Sequence, residues 1–322
     1  MHEGARRWFS ARTFTAAEFA LPALAEAKAA AGHRVSVVIP ARNEAGTVAE
    51  VVGQIRDALL PSGLVDELVV IDSDSVDDTA AVARAAGASV FAAREIDTGT
   101  AAVPGKGEAL WKSLFVTSGE LLVFIDADLT EWGPHFVSGL LGPLLGNPEI
   151  RLVKGFYDRL ADDLPGAGVA APQGGRVTEL CARPLLNLYW PELAAVVQPL
   201  AGEWAIRRSL LESLPVPVGY GVEFATLTDT YARHGLPAIA QVDLGERGHR
   251  HQAVHDLGVM AAEILATAMR RLPGQVRPEE PAGTLMQYDR GGPDGWRHRP
   301  VPTLERPPAK LSPRYRSLPC CG

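Results

Sequence analysis

The sequence predicts an α/β fold with a mostly parallel central sheet. Short β-branched runs alternate with helically spaced segments from residue 34 to residue 129. Such alternation is typical of strand–helix–strand units, whose strands lie parallel in one sheet. In addition, 47% of the 322 residues are apolar, which is enough to bury a sizeable core.

The first half of the chain contains four predicted strands. "RVSVVIPA" (residues 34–41) gives the first strand, and "NEAGTVAEVVGQIRDAL" has the apolar spacing of a helix. "DELVVIDS" and "ASVFAA" give the next two strands, with a helix between them in "SVDDTAAVARAAG". "KGEALWKSLFVTSG" predicts another helix, and "ELLVFIDADL" predicts the strand that follows it. This half therefore reads as successive strand–helix units.

The second half is less regular. "RLVKGFYDR" predicts a strand, "LADDLPGAGVAAPQGG" a loop and "RVTELCARPLLNLYW" a helix. "GYGVEFATLTDTYARHG" predicts a turn and a helix, "AIAQVDLGERGHRHQ" a strand, and "AVHDLGVMAAEILATAMRRL" a long helix. From residue 273 onward the proline content rises and periodicity ends, so we expect an extended or disordered tail.

Composition argues against several classes of protein. The net charge of −7 is unfavourable for non-specific nucleic-acid binding, which needs a basic face. No apolar run approaches a membrane span, and "MHEGARRWFSARTF" lacks the apolar core of a signal peptide. Cys181, Cys320 and Cys321 form neither a disulfide framework nor a metal-site spacing. We therefore expect a soluble, cytoplasmic protein with no nucleic-acid or membrane partner.

Acidic residues follow two of the predicted strands. Asp72 and Asp74 lie at the end of one strand, and Asp126 and Asp128 at the end of another. Ligands of parallel sheets bind outside the carboxyl ends of the strands, and residues i and i+2 of an extended chain face the same side. Asp126 and Asp128 could therefore share a cleft in which a divalent cation meets phosphates. The alternative is an exposed turn, and Glu44 similarly suits either a nucleotide or the first turn of a helix.

Three further segments have candidate binding residues. Lys106 in "VPGKGEAL" lacks the Ser or Thr of a phosphate loop, yet it begins a helix and could meet a diphosphate. Arg176 and Thr178 follow two glycines, which suits a phosphate or carboxylate; a solvated arginine is the alternative. His249 and His251 in "RGHRHQ" face one way only if that segment is extended, and structural or solvated histidines are the alternative.

Together these motifs resemble the retaining glycosyltransferases that make hexosyl-3-phosphoglycerates, namely the glucosyl- and mannosyl-3-phosphoglycerate synthases. The resemblance covers residues 34–272 and rests on "VVIPARNEAGTV", "DELVVIDSDSVDDT", "PGKGEALWKSL", "VFIDADL", "LVKGFY", "GGRVTEL", "QPLAGE", "GYGVE" and "GHR", in that order. It implies a Rossmann-like GT-A fold and a divalent cation, Mg²⁺ or else Mn²⁺ or Co²⁺. It also implies hexose transfer from a sugar nucleotide to the 2-hydroxyl of D-3-phosphoglycerate, by a homodimer.

The resemblance also implies a role for individual residues. Those near the nucleotide sugar would be Pro40, Ala41, Arg42, Glu44, Ser73, Asp74, Lys106, Asp126, Ala127 and Tyr220. Those at the acceptor would be Gly175, Arg176, Thr178 and His251. The metal ligands would be Asp128 and His249, and the residues with catalytic roles Leu200, Glu223 and Lys106.

The implied chemistry is same-face substitution at the anomeric carbon. Lys106 and the cation would stabilise the leaving diphosphate. No carboxylate is an obvious nucleophile of the kind that retaining hydrolases use, and "QPLAGE" resembles the segment whose leucine carbonyl, that of Leu200, lies near the anomeric carbon. The leaving phosphate oxygen would then take the proton of the acceptor.

Two departures from the glucosyl pattern bear on the donor. Arg42 stands where leucine is usual, and Asp74 stands where glycine is usual. Because Asp74 could pair with the N1–H and amino group of guanine, the sequence slightly favours GDP-mannose over UDP-glucose or GDP-glucose. The expected organisation is an N-terminal helical extension (1–33), a nucleotide-sugar half (34–157), an acceptor half with the long helix (158–272) and the tail (273–322).

Three other functions compete with this prediction. A sugar nucleotidyltransferase would have a glycine- and arginine-rich loop after the first strand, and "IPARNEAG" lacks that richness. A polyprenyl-phosphate glycosyltransferase would need a membrane-facing element, for which only the modestly amphipathic "FTAAEFALPALAEAKAA" is available. A non-catalytic nucleotide-sugar sensor would need no acceptor pocket.

Overall fold

The computed structural model describes residues 3–160, 175–248, 254–272, 284–288 and 296–318. The strands are β1 (Thr13–Thr15), β2 (Val35–Ala41), β3 (Glu67–Asp72), β4 (Ser89–Ala92), β5 (Leu121–Phe124), β6 (Leu152–Leu160), β7 (Trp204–Arg207), β8 (Val216–Pro217), β9 (Ile239–Gly248), β10 (Thr284–Tyr288), β11 (Trp296–Pro300) and β12 (Glu305–Arg306). The four strands predicted in the first half are confirmed.

The α-helices are α1 (Glu3–Arg12), α2 (Leu21–Ala31), α3 (Val48–Leu59), α4 (Thr79–Ala86), α5 (Lys106–Ser113), α6 (His135–Gly146), α7 (Arg183–Tyr189), α8 (Arg208–Leu211), α9 (Val222–His234), α10 (Val254–Arg271) and α11 (Pro313–Arg316). Short 3₁₀ turns lie at Ala16–Glu18, Ala93–Glu95, Pro191–Ala195, Leu236–Ala238 and Ala309–Leu311, and a π-helical turn spans Thr178–Ala182. Among the described residues, no helix is both long and apolar enough to cross a membrane.

Eight strands form one mixed sheet in the order β1-β9-β6-β7-β5-β2-β3-β4. Five of its seven pairings are parallel, and only β7 runs antiparallel to both of its neighbours. The mostly parallel sheet expected from the sequence is thus confirmed. The carboxyl ends of the parallel strands β2, β3 and β5 lie side by side at one edge, where the acidic residues follow.

Helices cover both faces of the sheet, so its central strands are apolar on both sides. In β2, Val37 and Ile39 face one buried cluster, which also contains Val51 of α3 and Phe136 of α6. Val38 points the opposite way, into a second cluster around α5 and α9. Burial on both faces is the reason that β2 reads as a continuous apolar run rather than an alternating one.

The start of α5 is pressed against the backbone that leads into α9. A Cβ atom on Gly107 would lie 1.8 Å from the carbonyl oxygen of Pro217, so only glycine allows this approach. Glu108 N donates to Val218 O at 2.9 Å. The glycines around Lys106 therefore bring the lysine beside the turn that contains Tyr220.

The described part of the C-terminal tail differs from the extended or disordered segment expected from the sequence. Strands β10 and β11 pair antiparallel, and β12 pairs with β8. Residues 301–318, which we call the C-terminal strap, pack on the body of the protein with Tyr315 and Arg306 buried. Because the tail is rich in proline, its sequence lacks the periodic apolar pattern from which this packing could have been predicted.

Candidate functional site

Lys106 is the centre of a charged cluster at the carboxyl edge of the sheet. Its Nζ atom lies 2.8 Å from Asp126 Oδ1 and 2.9 Å from Glu223 Oε1. Lys106 begins α5, Asp126 follows β5 and Glu223 lies in the first turn of α9, so three separate elements converge. Burial opposes the charge of Lys106, but the two carboxylates outweigh burial and hold its pKa well above the ordinary value.

Arg247 joins both aspartates of "DAD" from the far end of β9. Its guanidinium lies 3.1 Å from Asp128 and 3.7 Å from Asp126, and it also contacts Glu203 at 2.6 Å and the Tyr157 hydroxyl at 2.7 Å. The convergence of Asp126 and Asp128 predicted from their i, i+2 spacing is therefore present. We did not assign Arg247 from the sequence, although it stands two residues before His249 in the chain.

The turn that contains Leu200 lies against Asp126. A Cβ atom on Gly202 would lie 2.2 Å from Asp126 Oδ2, so the glycine lets the backbone approach the carboxylate closely. Lys154, which is buried in β6, donates from Nζ to the carbonyl oxygen of Ala201 at 2.7 Å. Leu200 therefore lies two residues before Gly202, which contacts Asp126 of the Lys106 cluster.

The cluster carries more negative than positive charge. Two cations, Lys106 and Arg247, form ion pairs with four carboxylates, namely Asp126, Asp128, Glu203 and Glu223. Counting the nearby Lys154, which has no ion pair of its own in the described residues, the carboxylates still outnumber the cations by one. Burial and the neighbouring Asp126 raise the pKa of Asp128, and burial raises the pKa of Glu203. An additional cation beside the two aspartates would relieve this excess.

The expected metal ligands are only partly within the described residues. Asp128 is part-exposed, and its carboxylate is a hard oxygen donor of the kind that Mg²⁺ and Mn²⁺ prefer. His249 lies outside the described residues. Within the described ranges, no group of three or more His, Cys, Asp or Glu side chains forms a complete metal-binding cluster. The aspartate pair nevertheless fits a divalent cation that is completed by ligands from elsewhere.

The expected nucleotide wall forms where the loops after β2, β3 and β5 meet. Ser73 N donates to Ala41 O at 2.8 Å, which joins the ends of β2 and β3. The Thr47 hydroxyl donates to Ala127 O at 2.8 Å and lies 3.4 Å from a carboxylate oxygen of Glu44. The structure therefore brings together Glu44, Ala41, Ser73 and Ala127 from three different loops.

The residues expected to select the base lie at the exposed rim of this wall. Pro40 is partly exposed at the end of β2, and Arg42 is exposed. Asp74 has a φ of +58°, a left-handed conformation that aspartate tolerates better than most residues. Its carboxylate lies 3.3 Å from Nη1 of Arg94, so Asp74 already has a cationic partner.

The expected acceptor residues begin the segment before α7. Arg176 is exposed, Thr178 is buried, and Gly175 is partly exposed. This segment contacts α10 through Cys181, whose Sγ donates to Ala261 O at 3.7 Å. His251, the fourth expected acceptor residue, lies outside the described residues.

Tyr220 is held by the same helix. Its backbone N donates to Glu263 Oε2 at 2.6 Å, two residues along α10 from Ala261. Tyr220 is 40% exposed, and burial of its hydroxyl raises its pKa. The Tyr220 turn and the expected acceptor segment thus share one supporting helix.

Comparisons with known proteins identify the family of this chain. Residues 36–160 match the family model of Glycosyl transferase family 2. The glucosyl-3-phosphoglycerate synthase of Mycobacterium tuberculosis is 49% identical over 288 residues, which are 88% of this chain and 87% of that protein. The glucosyl-3-phosphoglycerate synthase of Mycolicibacterium paratuberculosis is 44% identical over 313 residues, 95% of this chain and 93% of that protein.

Solved structures give the same result. A crystal structure of M. tuberculosis glucosyl-3-phosphoglycerate synthase matches with a TM-score of 0.80 at 44% identity, covering 93% of this chain and 98% of that one. A complex of that enzyme with Mn²⁺, UDP-glucose and phosphoglyceric acid matches with a TM-score of 0.78 at 46% identity, covering 89% and 93%. The GT-A fold and the family resemblance are confirmed: this chain belongs to the glucosyl-3-phosphoglycerate synthase family.

Proposed function

We propose that this protein transfers glucose from UDP-glucose to the 2-hydroxyl of D-3-phosphoglycerate, with retention at the anomeric carbon. The observation that carries the proposal is the ammonium of Lys106 between Asp126 and Glu223, beside the Leu200 turn. Relatives of 44–49% identity are glucosyl-3-phosphoglycerate synthases, and one of them forms a complex with UDP-glucose and phosphoglyceric acid. The preference for GDP-mannose expected from Arg42 and Asp74 is not supported by these relatives.

The donor would lie along the wall formed by Ala41, Glu44, Ser73 and Ala127, with its diphosphate toward Lys106. A divalent cation, Mn²⁺ in the relative's complex, would be held by Asp128 and His249 and would neutralise charge on the diphosphate. Lys106 supplies a fixed positive charge at the same place. Its raised pKa keeps it protonated throughout the physiological range.

The bonds would change on one face of the sugar. The C1–O bond to the β-phosphate breaks, and the 2-hydroxyl oxygen of the acceptor bonds to C1 on the face that the diphosphate leaves. The acceptor proton passes to the leaving phosphate oxygen. Leu200 would present its carbonyl to the electron-poor C1, and Glu223 would stay paired with Lys106 rather than attack C1. A covalent glycosyl adduct on Glu223 or Glu203, found by mass spectrometry, would contradict this course.

The acceptor would be bound by Arg176 and Thr178, whose guanidinium and hydroxyl suit a phosphate and a carboxylate. Gly175 would allow close backbone approach, and His251 would complete the pocket. Arg176 is exposed to solvent at the start of this segment. Homodimerisation, expected from the family resemblance, stays a prediction.

The test is an activity assay with purified protein, Mn²⁺ and D-3-phosphoglycerate. UDP-glucose, GDP-glucose, UDP-mannose and GDP-mannose are supplied in parallel, and the phosphorylated glycoside is identified by NMR. We expect UDP-glucose to give the largest kcat/KM, with an α-linked product and no nucleotide release in excess of glycoside. A larger kcat/KM for GDP-mannose would overturn the donor assignment. Absence of glycoside from all four donors would overturn the reaction.

A further inference from the structure

The turn that contains Leu200 is held at several points by side chains from outside it. Arg183 of α7 donates to Val196 O at 2.8 Å and to Val197 O at 2.6 Å. Gln241 of β9 accepts from Val197 N at 2.9 Å. Downstream, Lys154 donates to Ala201 O at 2.7 Å. The backbone on both sides of Leu200 is therefore fixed by groups that belong to the sheet or to a neighbouring helix.

These bonds determine where the Leu200 carbonyl points. Ala201 N donates to Gln198 O at 3.1 Å, and in a trans peptide the carbonyl of Leu200 points opposite to that N–H. Lys154 fixes the next peptide unit through Ala201 O. The carbonyl is thus oriented by its two neighbours and accepts no hydrogen bond from the described residues.

Burying the charged Lys154 side chain lowers stability, and a purely structural role would not require that charge. Its side chain is 1% exposed, and no described carboxylate lies within ion-pair distance of its ammonium. The ring of Trp204 lies 5.6 Å from Nζ and provides weak compensation. The charges of Glu223, Glu203 and Asp126 offset the burial of this ammonium only in part. A buried ammonium without a close carboxylate destabilises a folded protein, whereas an apolar side chain of the same length would not. A requirement for that charge at Ala201 would account for this cost.

We propose that Lys154 is a positioning residue for glucosyl transfer, whose buried ammonium holds the Ala201 carbonyl and thereby aims the Leu200 carbonyl at C1 of the donor. This inference rests on the proposed function. It predicts that Lys154 acts on the transition state more than on donor binding, because the Leu200 carbonyl interacts most strongly when C1 becomes electron-poor.

The molecule offers a matched control. Lys112 in α5 is also 1% exposed and also donates from Nζ to a backbone carbonyl, that of Ala93. Ala93 lies in the turn after β4, away from the Leu200 turn. Replacing Lys112 by methionine therefore removes a comparable buried hydrogen bond without touching Leu200.

The experiment compares Lys154→Met, Lys154→Gln and Lys112→Met with the wild type by kcat, donor affinity and thermal stability. We expect Lys154→Met to lower kcat about 10²-fold, as a small misplacement of a reacting group can, while the Kd of UDP-glucose stays within about threefold. Lys154→Gln keeps a neutral donor, so its loss should be smaller. Lys112→Met should lower stability and leave kcat unchanged.

The pH profile of kcat separates positioning from general destabilisation. Burial lowers the pKa of Lys154 to about 8, with Glu223, Lys106, Glu203 and Asp126 as the nearby charges that modify it. Lys154 is charged below that pH and loses its charge-assisted hydrogen bond above it. Wild-type kcat should therefore fall as pH rises through about 8. The fall should persist in Lys112→Met and disappear in Lys154→Gln.

The outcomes are distinguishable. Full kcat in Lys154→Met, or an equal loss in Lys112→Met, would overturn the role of Lys154 while leaving glucosyl transfer intact. If Lys154→Met does not fold, a wild-type kcat with no fall near pH 8, or an unchanged fall in Lys154→Gln, would overturn it equally. A wild type that makes no glycoside would overturn the proposed function, and this inference with it.

Discussion

The charged side chains around Lys106 can be compared with a second group that joins the C-terminal strap to the body of the protein. The site cluster consists of Lys106, Asp126, Asp128, Glu203, Glu223 and Arg247. The strap cluster consists of two ion networks that meet at the neighbouring strap residues Glu305 and Arg306: Arg306–Glu108–Lys112, and Glu305–Arg271–Asp229. Both clusters use arginine forks and join segments that are distant in sequence, so from composition alone they look alike.

They differ in charge balance and in how fully their polar atoms are paired. The strap cluster has three cations and three carboxylates, and both oxygens of Glu108 accept from Arg306, at 2.6 and 2.8 Å. The site cluster has two cations and four carboxylates. Among the described residues, Glu203 Oε2 and Arg247 Nε are buried without a hydrogen-bond partner in the site cluster, and the strap cluster has no such atom. Excess charge and unpaired atoms thus mark the cluster that must accept ligands.

Breaking the strap cluster should have the largest effect on stability. Arg306→Met leaves the buried carboxylate of Glu108 without its fork, so we expect the free energy of unfolding to fall by about 3–5 kcal/mol in urea denaturation. Arg299→Met, which breaks an exposed pair with Asp256, should cost about 0–1 kcal/mol. The double variant Arg306→Met/Glu108→Leu should recover most of the loss. Equal costs for the two single variants would show that the strap cluster is not a structural ion network.

Breaking the site cluster should instead affect the reaction. Lys106→Met removes the fixed charge that we propose faces the leaving diphosphate, so kcat/KM should fall about 10²–10³-fold. Its effect on unfolding should be smaller than that of Arg306→Met, because Asp126 is partly exposed to solvent. Initial rates and urea denaturation of the same preparation measure both quantities. A variant that keeps its kcat/KM would mean that Lys106 has only a structural role.

The pKa of Glu263 is affected by Glu223 of the site cluster. Burial, opposed by the bond from Tyr220 N and reinforced by Glu223, raises its pKa from 4.5 to about 7. A carboxyl group with a raised pKa stabilises the fold at low pH, and that contribution is lost as pH rises to about 7. We expect wild type to lose up to about 3 kcal/mol of stability from this group between pH 4.5 and 7. Glu263→Gln should remove this dependence of the free energy of unfolding on pH. Equal slopes of the free energy of unfolding against pH in wild type and Glu263→Gln would contradict the raised pKa of Glu263.

Asp74 belongs to neither cluster and should have the smallest effect. Its pair with Arg94 is exposed, so solvent screens it. Asp74→Gly suits the φ of +58°, and we expect less than about 1 kcal/mol change in stability. The ratio of kcat/KM for UDP-glucose to that for GDP-mannose should change less than about tenfold, or 1.4 kcal/mol. A larger change would indicate that Asp74 helps to select the nucleotide base.

The contrast also explains how much could be predicted from the sequence. Strands such as β2 and β5 are short apolar runs, and their acidic ends follow from local order, so the sheet and the meeting of Asp126 with Asp128 were predictable. Arg247 reaches Asp128 across 119 residues, and Arg306 reaches Glu108 across 198. No local pattern encodes such contacts.

The packing of the C-terminal strap could not be predicted from the sequence either. Its sequence is rich in proline and lacks periodicity, which are properties that indicate disorder. It is nevertheless packed, because a few residues with specific partners, chiefly Arg306 and Tyr315, replace the apolar stripe that a helix would use. Tyr315 donates its hydroxyl to Glu212 at 2.8 Å inside a buried aromatic contact with Phe115. Such anchors are visible only once the fold exists.

The most direct test is calorimetric titration of UDP-glucose into wild type, Asp128→Asn and Asp229→Asn, each with and without Mn²⁺. Asp128 lies in the site cluster and Asp229 in the strap cluster, so the two substitutions are chemically matched. We expect Mn²⁺ to strengthen donor binding in wild type and in Asp229→Asn, and to have little effect in Asp128→Asn. Equal manganese dependence in all three proteins would contradict the claim that the unbalanced cluster is the donor site.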